Sequence, residues 1–381
     1  MGIAFLLRKP KKIKQEEGPY VPNGKIYGVN IERFVSNSTN KVVYIDDAVD
    51  SVPARGNNGD FIFGSWENRY PFNRIKPCLL QNGAVVGYLN KNDYRYYEDG
   101  TFSDIIGGNF GDVMIEIPKV YYKFERNILN SDLMVRYSDT KHDDSWVAYA
   151  HTDSNGVEKD YIYLGAYLGS GSTLMYSLSG KSPFTAVSAS DMELMANRRG
   201  DGYDVMGHHQ LTLMQILFLV MFKSFDTYNI LGQGVQSGGS DTGTANTKGM
   251  FYGTTSRTES VKFCGMEDFY GNKFQYIKGI HFNGSSEYTL NGQYVASGTT
   301  LSGITLDVFG TNTMGFIPKE TGSSSTYAGL YYQADGTTQI NRNLQFGLAS
   351  GSYVNRGAFS YTPEFDPSSR AQNRSARLMY V

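Results

Sequence analysis

Between Leu211 and Phe222 the chain reads LTLMQILFLVMF, apolar on every side of a helical wheel. A surface helix keeps a polar stripe for water, so a helix without one must be enclosed by other elements. That requirement constrains the fold more than any other feature. The run is also far shorter than the ~20 residues of a membrane span. Thr212-Leu213-Met214-Gln215 reads as a capping box opening this helix, and Ser190-Asp191-Met192-Glu193 as one opening an earlier helix.

The flanking sequence is strand-like. Tyr27–Ile31 and Lys41–Ile45 are rich in β-formers, and Ile75–Leu80 with Ala84–Leu89 forms a hairpin pattern across Asn82-Gly83. Val113, Ile115 and Ile117 alternate with Met114 and Glu116. Further strands are expected over Val120–Phe124, Leu133–Tyr137, Trp146–Ala150 and Tyr161–Gly165. After Gly232, QSGGSDTGTANTKG and FNGSSEYTLNGQYVASGTTLSG read as loops. The glycines and acids of EDGTFSDIIGGNFGD mark a boundary near 110. The expected organisation is an extended arm over 1–26, a β-rich domain over 27–110 and a larger domain over 111–381. The larger part runs strands, two helices, then loops with short strands, an α+β order.

Composition excludes several functions. Hydrophobic residues make up 40% and charged residues 19% of the 381, enough to build a core and too apolar for disorder. A net charge of −2 gives no electrostatic case for nucleic acid. Cys78 and Cys264 are too sparse for a disulfide framework or a zinc signature and read as buried thiols. Ile3–Leu7 is too short for a signal-peptide core, and Arg8, Lys9, Lys11, Lys12 and Lys14 follow it instead of preceding it. No export signal or membrane insertion is expected, and Leu6 stands where myristoylation needs Ser or Thr. The basic run reads either as a solvated tail or as a segment that docks on an acidic partner surface.

Motifs that invite chemistry are incomplete. His208-His209 with Asp204 suggests a metal or a general base, but no third ligand stands at recognisable spacing. GQGVQSGGSDTG lacks the Lys-Ser/Thr of a phosphate loop and reads as a flexible loop. Pro363-Glu364-Phe365-Asp366 supplies two carboxylates where calcium takes six to eight oxygens. The densest motif is GMEDFYGNKFQY, residues 265–276, with two glycines, two adjacent acids and four aromatics.

This stretch resembles the signature of formylglycine-generating-enzyme-like domains, a branch of the C-type lectin fold. The helix LTLMQILFLVMFKSFDTYNILGQG and the ending Arg356-Gly357-Ala358-Phe359 … Ala376-Arg377-Leu378 are similar to such domains in phage tail and prophage proteins. YGVNIERF, VVYIDDAVD, FNRIKPCLLQNGAVVGYLN and GDVMIEIPKVYYKF resemble the amino-terminal region of phage and prophage structural proteins. The resemblance implies a C-type-lectin-like α+β domain in which Gly265, Gly271 and Asn272 make a turn and Phe274 and Tyr276 fill the core. Glu267 and Asp268 would then satisfy backbone amides.

It also implies a function. The oxidase chemistry needs a cysteine pair in the carboxyl-terminal part, and none follows Cys264, so no catalysis, cofactor or metal is expected. The expectation is a virion protein, a tail or surface adhesin that binds a host surface protein or glycan. It would dock to other virion proteins through its arm and assemble as a homo-oligomer, a trimer by analogy. The alternatives are a structural plug or decoration protein, or an enzyme relative. The receptor face would be Tyr331, Tyr332, Tyr353, Asn355, Arg356, Tyr361 and Phe365, a Tyr-, Asn- and Arg-rich mix of the kind contact loops enrich.

Overall fold

The structure is a computed structural model, and it describes residues 20–35, 40–236, 239–283, 287–291, 293–297, 303–322, 331–332, 342–347, 357–365, 368–370 and 372–381. The candidate docking residues Arg8, Lys9, Lys11, Lys12 and Lys14 lie outside the described residues.

The first half is built of antiparallel strands. β1 (Ile26–Ile31) pairs with β2 (Val42–Asp46). β3 (Lys76–Gln81) and β4 (Ala84–Asn90) form the expected hairpin. Asn82 and Gly83 carry φ of 51° and 75° at its tip, the left-handed pair that a two-residue turn demands. Next come β5 (Asp93–Tyr97), β6 (Asp112–Pro118), β7 (Tyr121–Arg126), β8 (Leu133–Ser138) and β9 (Tyr161–Gly165). Trp146–Ala150 is not a strand; Val147 makes one isolated bridge and Tyr149–His151 is a 3-10 turn.

Two helices flank β10 (Tyr203–Val205). α1 (Ala189–Asn197) starts at Ser188, whose hydroxyl accepts from the Asp191 amide at 3.1 Å, just before the expected cap. α2 (His208–Phe222) starts a full turn before Thr212, which is buried inside it. Every side chain from Leu211 to Phe222 is buried, as an all-round apolar helix requires. Phe218 packs on Phe222, Phe263 and Phe359 at ring distances of 4.4, 5.1 and 5.9 Å. The short α3 (Thr227–Ile230) follows.

The remainder is strand-rich where loops were expected. β11 (Lys262–Phe263) and β12 (Met266–Glu267) form a small ribbon. β13 (Phe274–Asn283), β14 (Glu287–Leu290), β15 (Gln293–Ser297), β16 (Gly303–Val308), β17 (Pro318–Gly322), β18 (Tyr331–Tyr332), β19 (Arg342–Phe346), β20 (Ser360–Phe365) and β21 (Arg374–Ser375) form a nine-stranded sheet. The chain ends in β22 (Leu378–Tyr380).

The sheets overturn the α+β, C-type-lectin-like architecture. Among the described residues strand accounts for 34% and helix for 10%, with three helices and several antiparallel sheets, so the described fold is mostly β. Two helices do not lie as a layer on a lectin domain; instead α2 runs through the interior. The physical reason lies in segments such as EYTLNGQYVAS, where glycine and serine suggested loops. The β-branched and tyrosine positions between them pair as β14 and β15.

The boundary expected near 110 does not separate two sheets. One sheet runs β2-β1-β8-β7 and another β10-β22-β9-β6-β3-β4-β5, and both join strands from either side of 110. Cys78 of β3 opposes Met114 of β6, and Val29 of β1 opposes Val135 of β8. β6 lies between β3 and β9 and is buried at every residue, so Met114 and Glu116 are as enclosed as their neighbours. Glu116 is satisfied there by the hydroxyls of Tyr88 and Tyr163, at 3.1 and 3.0 Å. The root of the arm is also fixed: Tyr20 stacks on Tyr70 at 5.0 Å and donates to Asp139.

Candidate functional site

The GMEDFYGNKFQY segment forms the structural hub of the molecule. Gly265, Gly271 and Asn272 adopt φ of 82°, 84° and 57°, the left-handed region expected of a tight turn. A Cβ on Gly265 would also sit 2.6 Å from Ile115 Cδ1, so a side chain there would have to displace packed neighbours. Phe274 and Tyr276 are buried. The Glu267 carboxylate accepts from the amides of Gly243, Thr244 and Ala245 at 2.7, 3.3 and 2.6 Å. Gly243, the last residue of the loop expected to be flexible, and the two residues after it are therefore wrapped around a buried acid. Burial, then the nearby Asp268 charge, raises the pKa of Glu267, while burial lowers that of Lys262. Lys262 stands 3.7 Å over the Tyr94 ring and donates to the Ala245 carbonyl at 3.0 Å.

Arg377 ties this hub to the end of the chain. Its guanidinium donates to the carbonyls of Gly165, Glu267 and Asp268 at 2.8, 2.8 and 2.9 Å, and to Gln275 Oε1 at 3.2 Å. Asn272 Nδ2 donates to Asp268 Oδ2 at 2.7 Å. Glu267, Lys262 and Arg377 thus hold backbone in place, away from solvent, whereas the Asp268 carboxylate takes the Asn272 side chain instead of the backbone amides expected for it. Cys78 and Cys264 are both buried and unpaired, and burial pushes both thiols up.

The proposed contact residues fall into three groups. Tyr361 is 2% exposed, and its hydroxyl donates to Gln215 of α2 at 2.8 Å, so it belongs to the core and not to a receptor face. Tyr331, Tyr332 and Phe365 are placed by backbone: β18 pairs in parallel with β20, with Tyr332 opposite Tyr361. Tyr353, Asn355 and Arg356 lie outside the described residues. The segment carrying them connects β19 to β20, and both of its roots are fixed. Phe346 pairs with Tyr361, the Gly347 amide donates to the Ser360 carbonyl at 3.1 Å, and Gln215 Nε2 donates to the Ala358 carbonyl at 2.7 Å.

His208 and His209 open α2 at the edge of a cleft of ≈ 630 Å³. Burial, then the neighbouring His209 ring, lowers the His208 pKa to about 3, and burial lowers that of His209 to about 4, so both rings are neutral near pH 7. His208 Nε2 lies 3.0 Å from the Thr313 carbonyl. Among the described residues no group of three His, Cys, Asp or Glu could hold a metal ion. Asp204 does not serve the histidines; it accepts from Lys278 Nζ at 2.6 Å. Lys278 sits where β13 breaks register between Tyr276 and His281, an irregularity that re-aims a strand side chain. It also reaches Glu193 at 3.3 Å, and Glu193 accepts from the Tyr276 hydroxyl.

The opposite wall is Tyr149, 37% exposed, with its ring 5.0 Å from His209 and 6.4 Å from Tyr122. Gln210 Nε2 donates to the Ala150 carbonyl at 2.8 Å and fixes this wall to α2. Asp153 completes it, paired with Lys159 at 2.9 Å. Sequence signalled only Asp204, His208 and His209 of this cleft. Tyr149, Lys278 and Asn291 come from segments that only the tertiary fold assembles.

No protein-family model matches the chain, and no curated protein matches it. No helix among the described residues is long and apolar enough to cross a membrane.

Proposed function

We propose that the protein is a non-catalytic attachment component of a bacteriophage or prophage particle. It would bind a host surface receptor through the connection between β19 and β20 and the neighbouring strand β18. The observation that carries this reading is the anchoring of that connection. Its two roots are bonded to each other and to α2, while the segment between them, GLASGSYVNRG, is rich in small residues with one Tyr, one Asn and one Arg. Binding residues carried on loops over a rigid scaffold are a general arrangement, because the scaffold reduces the entropy lost on contact. The resemblance of the chain's ordered segments to phage structural proteins supplies the particle. The engagement of Glu267, Lys262 and Arg377 in backbone contacts, and of Asp268 with the Asn272 side chain, favours architecture over catalysis at the densest motif.

The experiment is attachment of the purified full-length protein to host cells, compared with Tyr353→Ala and Arg356→Ala. Truncating a binding hot spot costs ~2 kcal/mol or more, roughly a thirtyfold loss of affinity. We expect that loss in at least one variant with the melting temperature unchanged. Undiminished attachment in both would refute the reading.

A further inference from the structure

We propose that the cleft between α2, β13 and the Tyr149 turn is a second binding site, for a neutral, hydroxyl-rich ligand of the size of one or a few sugar rings. It shares no residue with the β18–β20 face, so the inference stands apart from the function proposed above. Three observations carry it.

The volume of ≈ 630 Å³ falls within the ~300–1,000 Å³ of small-molecule sites. The charges on the walls of the cleft already have partners: Lys278 bridges Asp204 at 2.6 Å and Glu193 at 3.3 Å, and Asp153 pairs with Lys159 at 2.9 Å. Among the described side chains that line the cleft, Asp201 is the exposed acid at the rim, and the two imidazoles are uncharged. An ionic ligand would lose its hydration without meeting an unspent opposite charge within. A ligand with hydroxyls that both donate and accept meets instead the Asp204–Lys278 pair and the Asn291 amide. Finally, the Tyr149 ring is partly exposed yet held by His209 and Tyr122, a rigid apolar surface for the C–H face of a ring.

The test is saturation-transfer NMR on the full-length protein. The probes are methyl α-glucoside, methyl β-galactoside and N-acetylglucosamine, with inorganic phosphate and cadaverine as charged probes followed by their own line broadening. We expect transfer to at least one sugar, unchanged by 0.3 M salt. Tyr149→Ala should weaken that binding by ~10-fold or more and Tyr149→Phe should keep it, both with native melting temperature. Transfer to none of the three sugars overturns the proposal, whatever the variants do. So does sugar binding that Tyr149→Ala leaves intact in a folded protein, or binding of a charged probe without any sugar. Cell attachment lost with Arg356→Ala but not with Tyr149→Ala would show the two sites failing or holding separately.

Discussion

Arg377 has no solvent exposure, and each edge of its guanidinium meets an acceptor: three carbonyls and the Gln275 side chain. Removing it would leave those acceptors buried without donors, at a cost of roughly 3–5 kcal/mol for Arg377→Ala. Arg377→Lys would recover only part, because an ammonium cannot span the same fork. Urea unfolding of the three proteins measures this; a loss under ~1 kcal/mol for the alanine variant would contradict the hub. The sequence marked Arg377 only as part of a closing segment, since nothing in a linear pattern shows which carbonyls an arginine will reach.

His208 gives a pH prediction at the same scale. Its folded pKa, about 3, lies below the ordinary value of 6.5, so below pH 6.5 the unfolded chain binds the proton and the folded one does not. Its contribution is complete above pH 6.5 and is lost as the pH falls toward 3, amounting to roughly 2 kcal/mol lost by pH 5. His208→Gln can still donate to the Thr313 carbonyl but cannot titrate. The stability gap between wild type and variant should therefore shift by that amount between pH 7 and pH 5. A gap that stays constant with pH would show that His208 titrates alike in both states.

Among elements, those set by local chemistry were readable and those set by pairing were not. The β3–β4 hairpin follows from Asn82-Gly83, and the enclosure of α2 from its lack of a polar stripe. The start of α2 was misplaced because His208, His209 and Gln210 look like surface residues, yet His208 and Gln210 bond the carbonyls of Thr313 and Ala150 and the His209 ring packs on Tyr149. The boundary near 110 was drawn on glycine content, which marks a turn as readily as a linker. Since β3 pairs with β6 and β1 with β8, a fragment spanning 112–381 loses strands from two sheets. We expect it to lack a cooperative thermal transition. A fragment melting as sharply as the full chain would favour the two-domain reading.

At the scale of the whole molecule, one hydrophobic cluster runs from Tyr27 through α2 to Tyr361, joining both ends of the chain around the buried helix. The α+β expectation failed here, because strand order among short glycine-rich segments depends on contacts distant in sequence. Of the candidate face, Tyr361 proved to be core: a tyrosine read as a contact residue had its hydroxyl matched by Gln215. What remains is a connection whose ends are clamped by Phe346, Gly347, Ala358 and Tyr361. The most direct measurement is therefore to replace residues 349–355 of the full-length protein by two glycines and to record melting temperature and host-cell attachment together. A melting temperature within a few degrees of native is expected, since the clamps stay, with attachment reduced to background. Attachment at the native level by the folded variant would contradict the proposed function.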